Sequence, residues 1–313
     1  GQPVDPEGYY RVGSNTKTFV ATVVLQLAAE GGLSLEDTVE EHLPGVVQGN
    51  GNDGSKITIR QLLQHTSGIY NYNLDLLPAL TPETFEEIRY RSYTPEELLA
   101  IALQHPPNFP PGASYGYSNT DYVLAGMIIQ AVTGSTWEHE VTQRIIAPLG
   151  LHDTSFPGDD PGLPTPHARG YERFTPDGPP VDFTEFNHTF TDAAGAIIST
   201  TDDLGRFFRA LLAGQLLPPE QLAQMQSTIP QGPAYPVGSG VGLGIGKKPL
   251  SCGQQSWAHG GDTFGYRSRE GFSADGQRSV VLSLTSFPYD ERGRTAADAA
   301  VTGLIDNVLC RPG

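Results

Sequence analysis

Cysteine is scarce in this chain: Cys252 and Cys310 are the only two in 313 residues. That scarcity excludes a fold stapled by a cysteine framework. It leaves open two free buried thiols or one bridge, and a lone pair of sulfurs fits an exported protein. Positive charge is also scarce. Lysine and arginine number 19 against 35 aspartate and glutamate, a formal net charge of -16. So acidic a chain is unsuited to nucleic acid or an anionic membrane surface. No run of about eighteen apolar residues occurs, so nothing reads as a transmembrane segment. The eight histidines never take a spacing such as His-x-x-x-His, so zinc is not expected and no cofactor is implied. No internal repeat is found. No signal peptide is visible, and the opening Gly1-Gln2-Pro3 lacks methionine, so the chain is expected to be processed or trimmed.

What remains is an ordinary globular composition, 38% hydrophobic and 17% charged. It is long enough for one domain or two closely joined lobes. The stretch that organises the rest is Arg11-Val12-Gly13-Ser14-Asn15-Thr16-Lys17-Thr18-Phe19. From Asn15 a helical pattern opens, with Phe19, Val20, Val23, Val24, Leu27 and Ala28 at spacings of three and four, and Gly31-Gly32 stops it. Ser14 therefore sits at the first turn of an apolar helix, with Lys17 one turn along the same face. A serine hydroxyl needs a neighbour to take its proton, and a buried amine with a lowered pKa can do so. A helix start also favours negative charge. The plain alternative is a capping serine and a surface lysine, since Ser-x-x-Lys alone is a weak motif.

Downstream, Thr58 is expected to cap a helix over 59–64. Thr94-Pro95-Glu96-Glu97 opens another over 98–104. Four prolines (106, 107, 110 and 111) force an extended segment. It delivers Tyr115-Gly116-Tyr117-Ser118-Asn119, and a helix runs from 120 to Gly134. Further helices are expected over 137–146, 204–213 and 219–226. Residues 157–190, rich in proline, glycine and aspartate, read as irregular or as short strands. Strands are expected at 257–259, 266–272 and 280–286, the last two joined at Ala274-Asp275-Gly276-Gln277. A helix over 296–309 closes the chain.

Tyr117 beside an ammonium can shuttle a proton, and Asn119 can hold Lys17 and a substrate amide. Alternatively they are a buried ring and a helix cap. His259-Gly260-Gly261 ends a strand, where the glycines admit a substrate backbone and the histidine brings a polar or cationic group. Gly112-Ala113-Ser114-Tyr115-Gly116 matches a nucleophile elbow, but prolines precede it where an elbow needs an apolar strand. It gives a rival triad enzyme built on Ser114. His65 reads as a structural hydrogen-bonder.

Ser14-x-x-Lys17, Tyr117-x-Asn119 and His259-x-Gly261 occur in the order and approximate spacing of the serine β-lactamase and penicillin-binding-protein superfamily. The chain resembles that family nearly end to end, most of all its extracellular Streptomyces DD-carboxypeptidase/transpeptidase branch. The resemblance implies a β-lactamase-like α/β (α+β) fold, an antiparallel sheet flanked by helices plus an all-helical lobe. It implies one domain over 1–313, with the helical lobe roughly 45–200. The family's leading helix and two strands are missing ahead of Ser14. It implies an acyl-enzyme at Ser14, proton handling by Lys17 and Tyr117, and an oxyanion hole of the Ser14 and Asp262 N–H groups. Phe190 would stand on the cleft wall, Asn119, His259 and Gly261 would meet substrate, and Cys252 would bridge Cys310. The expectation is a secreted, monomeric serine hydrolase acting on a small peptide, ester or β-lactam, first of all a DD-peptidase. Two departures bear on that last point. Asp262 stands where the branch has a hydroxyl residue, and its carboxylate-binding arginine aligns with Gly246, beside Lys247 and Lys248. An esterase, β-lactamase, D-amino-acid amidase or aminopeptidase stays open, as does a non-catalytic binding protein.

Overall fold

The apolar stretch behind Ser14 becomes the central helix of the molecule. The computed structural model describes residues 4–77, 81–175, 178–233 and 235–311; Gly1-Gln2-Pro3 lies outside them. Thr16–Ala29 forms a 14-residue helix buried on nearly every side, Lys17 included. Phe19 stacks on Phe207 of the helix Thr201–Leu212 at 3.6 Å between ring centroids. Burial all round, rather than along one stripe, marks a core helix. Gly31, at φ 75°, ends it where expected.

The sheet comes from the last quarter of the chain. Its strands are Gly240–Val241, Gly246–Pro249, Gln255–Ala258, Gly261–Thr263, Tyr266–Phe272 and Ser279–Leu284. Every pairing is antiparallel. The hairpin across Asp275-Gly276 forms as read, with Gly276 at φ 70°. Among the described residues Ser279–Leu284 pairs only with Tyr266–Phe272, so it is a sheet edge, and all six of its residues are half-buried. On one face of the sheet Phe272 stacks on Phe208 at 4.9 Å. The closing helix begins five residues earlier than the apolar periodicity suggested, spanning Glu291–Leu309, because Asp290 caps it through the Gly293 N–H. Cys252 and Cys310 are bridged, fastening this helix's end to the turn between two sheet strands.

Short helices fill the middle of the chain. Pro95–Ala102 carries the expected capping box, and Ile59–Leu63, expected to be capped by Thr58, carries one too. Asn119–Thr133 ends at Gly134, φ 74°. The helix expected over 137–146 is instead Trp137–Val141, a wider π turn Thr142–Ile146 and a last turn Ala147–Leu149. Pro82–Ile88 was not foreseen, although Thr81 heads a capping box there.

Residues 157–190 are largely irregular, with one two-residue pairing of Tyr171–Glu172 against Val181–Asp182. Arg11 fixes their path. Its guanidinium is fully buried, and its Nη2 donates to the carbonyls of Pro161, Gly162, Thr184 and Phe186. It also lies over the Phe186 ring at 4.4 Å. Arg11, three residues before Ser14, thus anchors the irregular segment.

Candidate active site

Ser14 lies in a single 3-10 turn, Gly13–Asn15, that feeds straight into the central helix. Gly13 takes φ 54°, and a Cβ there would stand 3.0 Å from the Asp262 nitrogen. Gly261 is as constrained, since its Cβ would meet the Val12 carbonyl oxygen at 1.9 Å. Two glycines therefore let the turn carrying Ser14 and the strand Gly261–Thr263 touch, and no larger residue fits at either place.

Lys17 is fully buried. Its Nζ lies 3.1 Å from Ser14 Oγ, 2.8 Å from Asn119 Oδ1 and 2.6 Å from the Ala194 carbonyl oxygen. Burial drives the amine well below its ordinary pKa, with the charge of Asp121 acting against that shift. Tyr117 donates its hydroxyl to Ser14 Oγ at 2.8 Å, and Lys17 Nζ sits 4.9 Å from its ring centre. Desolvation holds the Tyr117 phenol above its usual value, partly screened because the residue is 38% exposed. The phenol is therefore protonated at rest. Asn119 is the first residue of its helix, and Ser118 occupies the cap position without a side-chain bond. Asn119 is accordingly a partner of Lys17 and not a cap.

Behind Tyr117 lies a buried polar group that the sequence reading only brushed. His65 Nδ1 lies 2.9 Å from Asp121 Oδ2, and Ser67 donates to the other Asp121 oxygen. The His65 ring packs 4.3 Å from that of Tyr117, and its backbone oxygen accepts the Gly116 N–H. His65 thus supports the segment carrying Tyr117, the structural role its sequence context suggested. His259 faces the site at 6.3 Å from the Tyr117 ring. Burial and the nearby Lys17 push it down to about 4, so it brings a neutral imidazole.

A cleft of about 500 Å³ opens in front of Ser14. Phe190 stands in its wall, stacked on Phe264, with Phe174 and Leu77 completing the apolar side. Glu172, Asp262 and Arg267 line its polar end. The Asp262 carboxylate accepts from Arg269 Nη2 at 2.9 Å and Arg267 Nε at 3.2 Å. Arg267 Nη1 also reaches Glu172 at 3.5 Å. Lys247 and Lys248 lie on Gly246–Pro249, two strands from Tyr266–Phe272, whose arginines meet Asp262. Arg267, Arg269, Glu172, Phe174 and Phe264 were missed. The two arginines were findable, because they alternate along a strand read correctly at 266–272 and a tight turn sets Asp262 opposite Arg267. Ser114 is exposed, and the contact of its Oγ is to the carbonyl of Tyr115 at 3.4 Å. Nothing there resembles a triad.

The model of the Beta-lactamase family matches residues 1–303. The chain belongs to this family. Its β-lactamase-like fold also matches solved members closely. A D-stereospecific amidohydrolase from Streptomyces sp. is 45% identical with a TM-score of 0.88, covering 95% of this chain and 88% of that one. The D-amino acid amidase of Ochrobactrum anthropi SV3 is 27% identical with a TM-score of 0.82, covering 99% and 87%. Protein flp of Staphylococcus aureus (strain MW2) is 32% identical over 247 residues, 75% of this chain. The chain spans about half of that relative's length, 46%. No described helix is long and apolar enough to cross a membrane.

Proposed function

We propose that the protein hydrolyses amides or esters of D-amino acids through an acyl-enzyme at Ser14. The polar end of the cleft carries this choice over the DD-carboxypeptidase reading. Both arginines there are committed, Arg269 to Asp262 and to the Gly261 and Ser268 carbonyls, and Arg267 to Asp262 and Glu172. A substrate's terminal carboxylate would meet Glu172 and Asp262 there with Arg267 already paired to both, while the other lining arginine, Arg173, donates to the Gly178 carbonyl. Two like charges about 4 Å apart repel by roughly 1–4 kcal/mol. A leaving ammonia, amine or alcohol meets no such barrier. The apolar wall of Phe174, Phe190, Phe264 and Leu77 suits a bulky acyl side chain, and the Ochrobactrum amidase has been solved with D-phenylalanine.

The chemistry follows from the hydrogen bonds. A neutral Lys17 has two N–H groups, which Asn119 Oδ1 and the Ala194 carbonyl take. Its lone pair is left for the Ser14 hydroxyl proton. Ser14 Oγ then adds to the carbonyl carbon, and the oxyanion is held by the Ser14 and Asp262 N–H groups. The protonated Tyr117 gives its proton to the leaving nitrogen or oxygen, the scissile bond breaks, and Lys17 restores the Tyr117 proton. Water repeats the sequence on the acyl-enzyme, releasing the acid and free Ser14. The Cys252–Cys310 bridge supports an oxidising compartment and hence export.

The test compares kcat/KM for D-phenylalanine amide, its L enantiomer and a peptide ending in D-alanyl-D-alanine. Preference for the D-amide over both, by roughly tenfold or about 1.4 kcal/mol, is expected. The reverse order between amide and peptide would return the assignment to a DD-carboxypeptidase.

A further inference from the structure

The oxyanion hole needs two N–H groups from distant parts of the chain, one on the turn Gly13–Asn15 and one on the strand Gly261–Thr263. Backbone contact at Gly13 and Gly261 lets them meet but does not fasten them. Beneath the contact lies a carboxylate that the mechanism does not use. Glu270, on the strand Tyr266–Phe272, is only 6% exposed. Its Oε1 accepts the Gly260 N–H at 2.6 Å, one residue before Gly261 and two before Asp262. Its Oε2 accepts from Ser268 Oγ at 2.8 Å, and that hydroxyl lies 3.2 Å from the buried hydroxyl of Tyr10. The Asn15 side chain, adjacent to Ser14, packs beside the strand Gly261–Thr263, its Nδ2 standing 3.2 Å from where a Cβ on Gly261 would lie.

The groups around this carboxylate bear on the oxyanion hole. Gly260 fixes where the Asp262 strand starts. Asn15 belongs to the nucleophile turn, and its Nδ2 closes that turn on the Val12 carbonyl at 3.2 Å. Tyr10, reached through Ser268, lies on the short strand Tyr10–Arg11 that leads into it. A buried carboxylate is retained only where its hydrogen bonds are satisfied, and here they converge on the two pieces whose spacing decides catalysis.

We propose that Glu270 is a positioning residue that holds the Asp262 N–H beside Ser14. One carboxylate holds the His259-Gly260-Gly261 turn and, through Ser268 and Tyr10, the strand that leads into the Ser14 turn, so the oxyanion donors stay at bonding distance. The inference rests on the Ser14 acyl-enzyme reading but not on which acyl donor is natural.

The deciding variants are Glu270→Met, similar in length with no acceptor, and Glu270→Gln, which keeps an oxygen for Gly260 and an NH2 for Ser268 Oγ. The readouts are the acylation rate constant and the non-covalent dissociation constant for a fluorescent penicillin, with affinity for a boronic acid that mimics the tetrahedral adduct. For Glu270→Met, acylation should fall roughly 30- to 300-fold, somewhat less than the roughly 100- to 1,000-fold seen for losing one oxyanion donor outright. Boronate affinity should fall in parallel, with the dissociation constant changed less than about threefold. Glu270→Gln should recover to within about fivefold of wild type. Wild-type acylation in Glu270→Met, an acylation loss without a boronate loss, or failure of Glu270→Gln to recover would each overturn the proposal. Should Glu270→Met not fold, Ser268→Ala loosens the same carboxylate; a three- to tenfold acylation loss supports the proposal and an unchanged rate overturns it. A wild-type protein that forms no acyl-enzyme on Ser14 with the penicillin and does not hydrolyse D-phenylalanine amide overturns the functional reading itself, a result distinct from all of these.

Discussion

Asp262 stands directly opposite Arg267 in the antiparallel pair of Gly261–Thr263 and Tyr266–Phe272, and the two side chains meet at 3.2 Å. Cross-strand neighbours of opposite charge stabilise a hairpin modestly. Here the pairing also sets the electrostatics of the cleft, because it holds Arg267 and, with Arg269, leaves neither cation free for a substrate carboxylate.

Replacing Asp262 with threonine should therefore release Arg267 and Arg269 toward the cleft. The Asp262 backbone N–H is unaffected, so amide turnover should change little. The ratio of kcat/KM for a D-alanyl peptide to that for its C-terminal amide should rise roughly tenfold, about 1.4 kcal/mol. An unchanged ratio in Asp262→Thr would show that these side chains do not read the leaving group.

Tyr117→Phe removes the proton donor that sits 2.8 Å from Ser14 Oγ while keeping the ring over Lys17. Acylation of an amide substrate should slow by roughly a hundredfold or more. Its KM should change little, and the loss should be smaller for an ester with a low-pKa leaving group, which departs without a proton. Equal losses for both substrates would place the role of Tyr117 in shape and not in proton transfer.

Much of this site was legible because it is local. Ser14 and Lys17 fall on one helix face by phase alone, and Tyr117 and Asn119 arrive at a proline-delivered helix start. The hairpin at 266–284 was legible from alternation and Asp275-Gly276. The cleft wall was not. Glu172 and Phe174 come from an irregular segment whose path depends on Arg11, some 150 residues earlier in the chain, bonding to its carbonyls. No period in sequence reports such a contact. The helix Pro82–Ile88 carried a signal, Thr81-Pro82-Glu83-Thr84, obscured because threonine takes the place of the usual glutamate or glutamine. The early start at Asp290 was masked by the polar run Glu291-Arg292-Gly293-Arg294, which has no apolar period.

His259 should stay neutral through the working range. Its folded value of about 4 lies below the ordinary 6.5. Between those two pH values the unfolded chain binds a proton that the folded chain refuses, so this group's contribution to stability falls as pH drops from about 6.5 to 4 and is constant outside that window. The 15N shifts of the His259 ring should not move between pH 5.5 and about 8. Relative to wild type, His259→Gln should become more stable at pH 4 than at pH 7 by about 1–3 kcal/mol, discounted for the ring's partial exposure. A ring that titrates near pH 6.5 would remove the basis for treating it as a neutral polar group in the cleft.

The disulfide should matter to stability and not to chemistry. Cys252 and Cys310 are 58 residues apart in sequence and sit at the sheet's turn and the end of the closing helix, away from Ser14. In the chain-entropy model a loop of that size confers about 4 kcal/mol by restricting the unfolded chain. Spread over the unfolding entropy of a protein this long, that corresponds to a fall in Tm of about 6 °C on reduction. The same two elements are also joined without the bridge, since the Ser251 N–H donates to Asp306 Oδ1 at 2.7 Å and the Ser251 hydroxyl to Oδ2. The closing helix should therefore remain docked at ambient temperature when the sulfurs are reduced, because its Leu309 stays buried against the sheet. Cys252→Ser/Cys310→Ser should lower Tm by about that amount while leaving the rate of Ser14 acylation within about twofold of wild type. A Tm unchanged within about a degree would mean that the unfolded chain is already compact around residues 252–310. A large loss of acylation would mean instead that the helix Glu291–Leu309 props the strand Tyr266–Phe272, and with it Glu270, from behind.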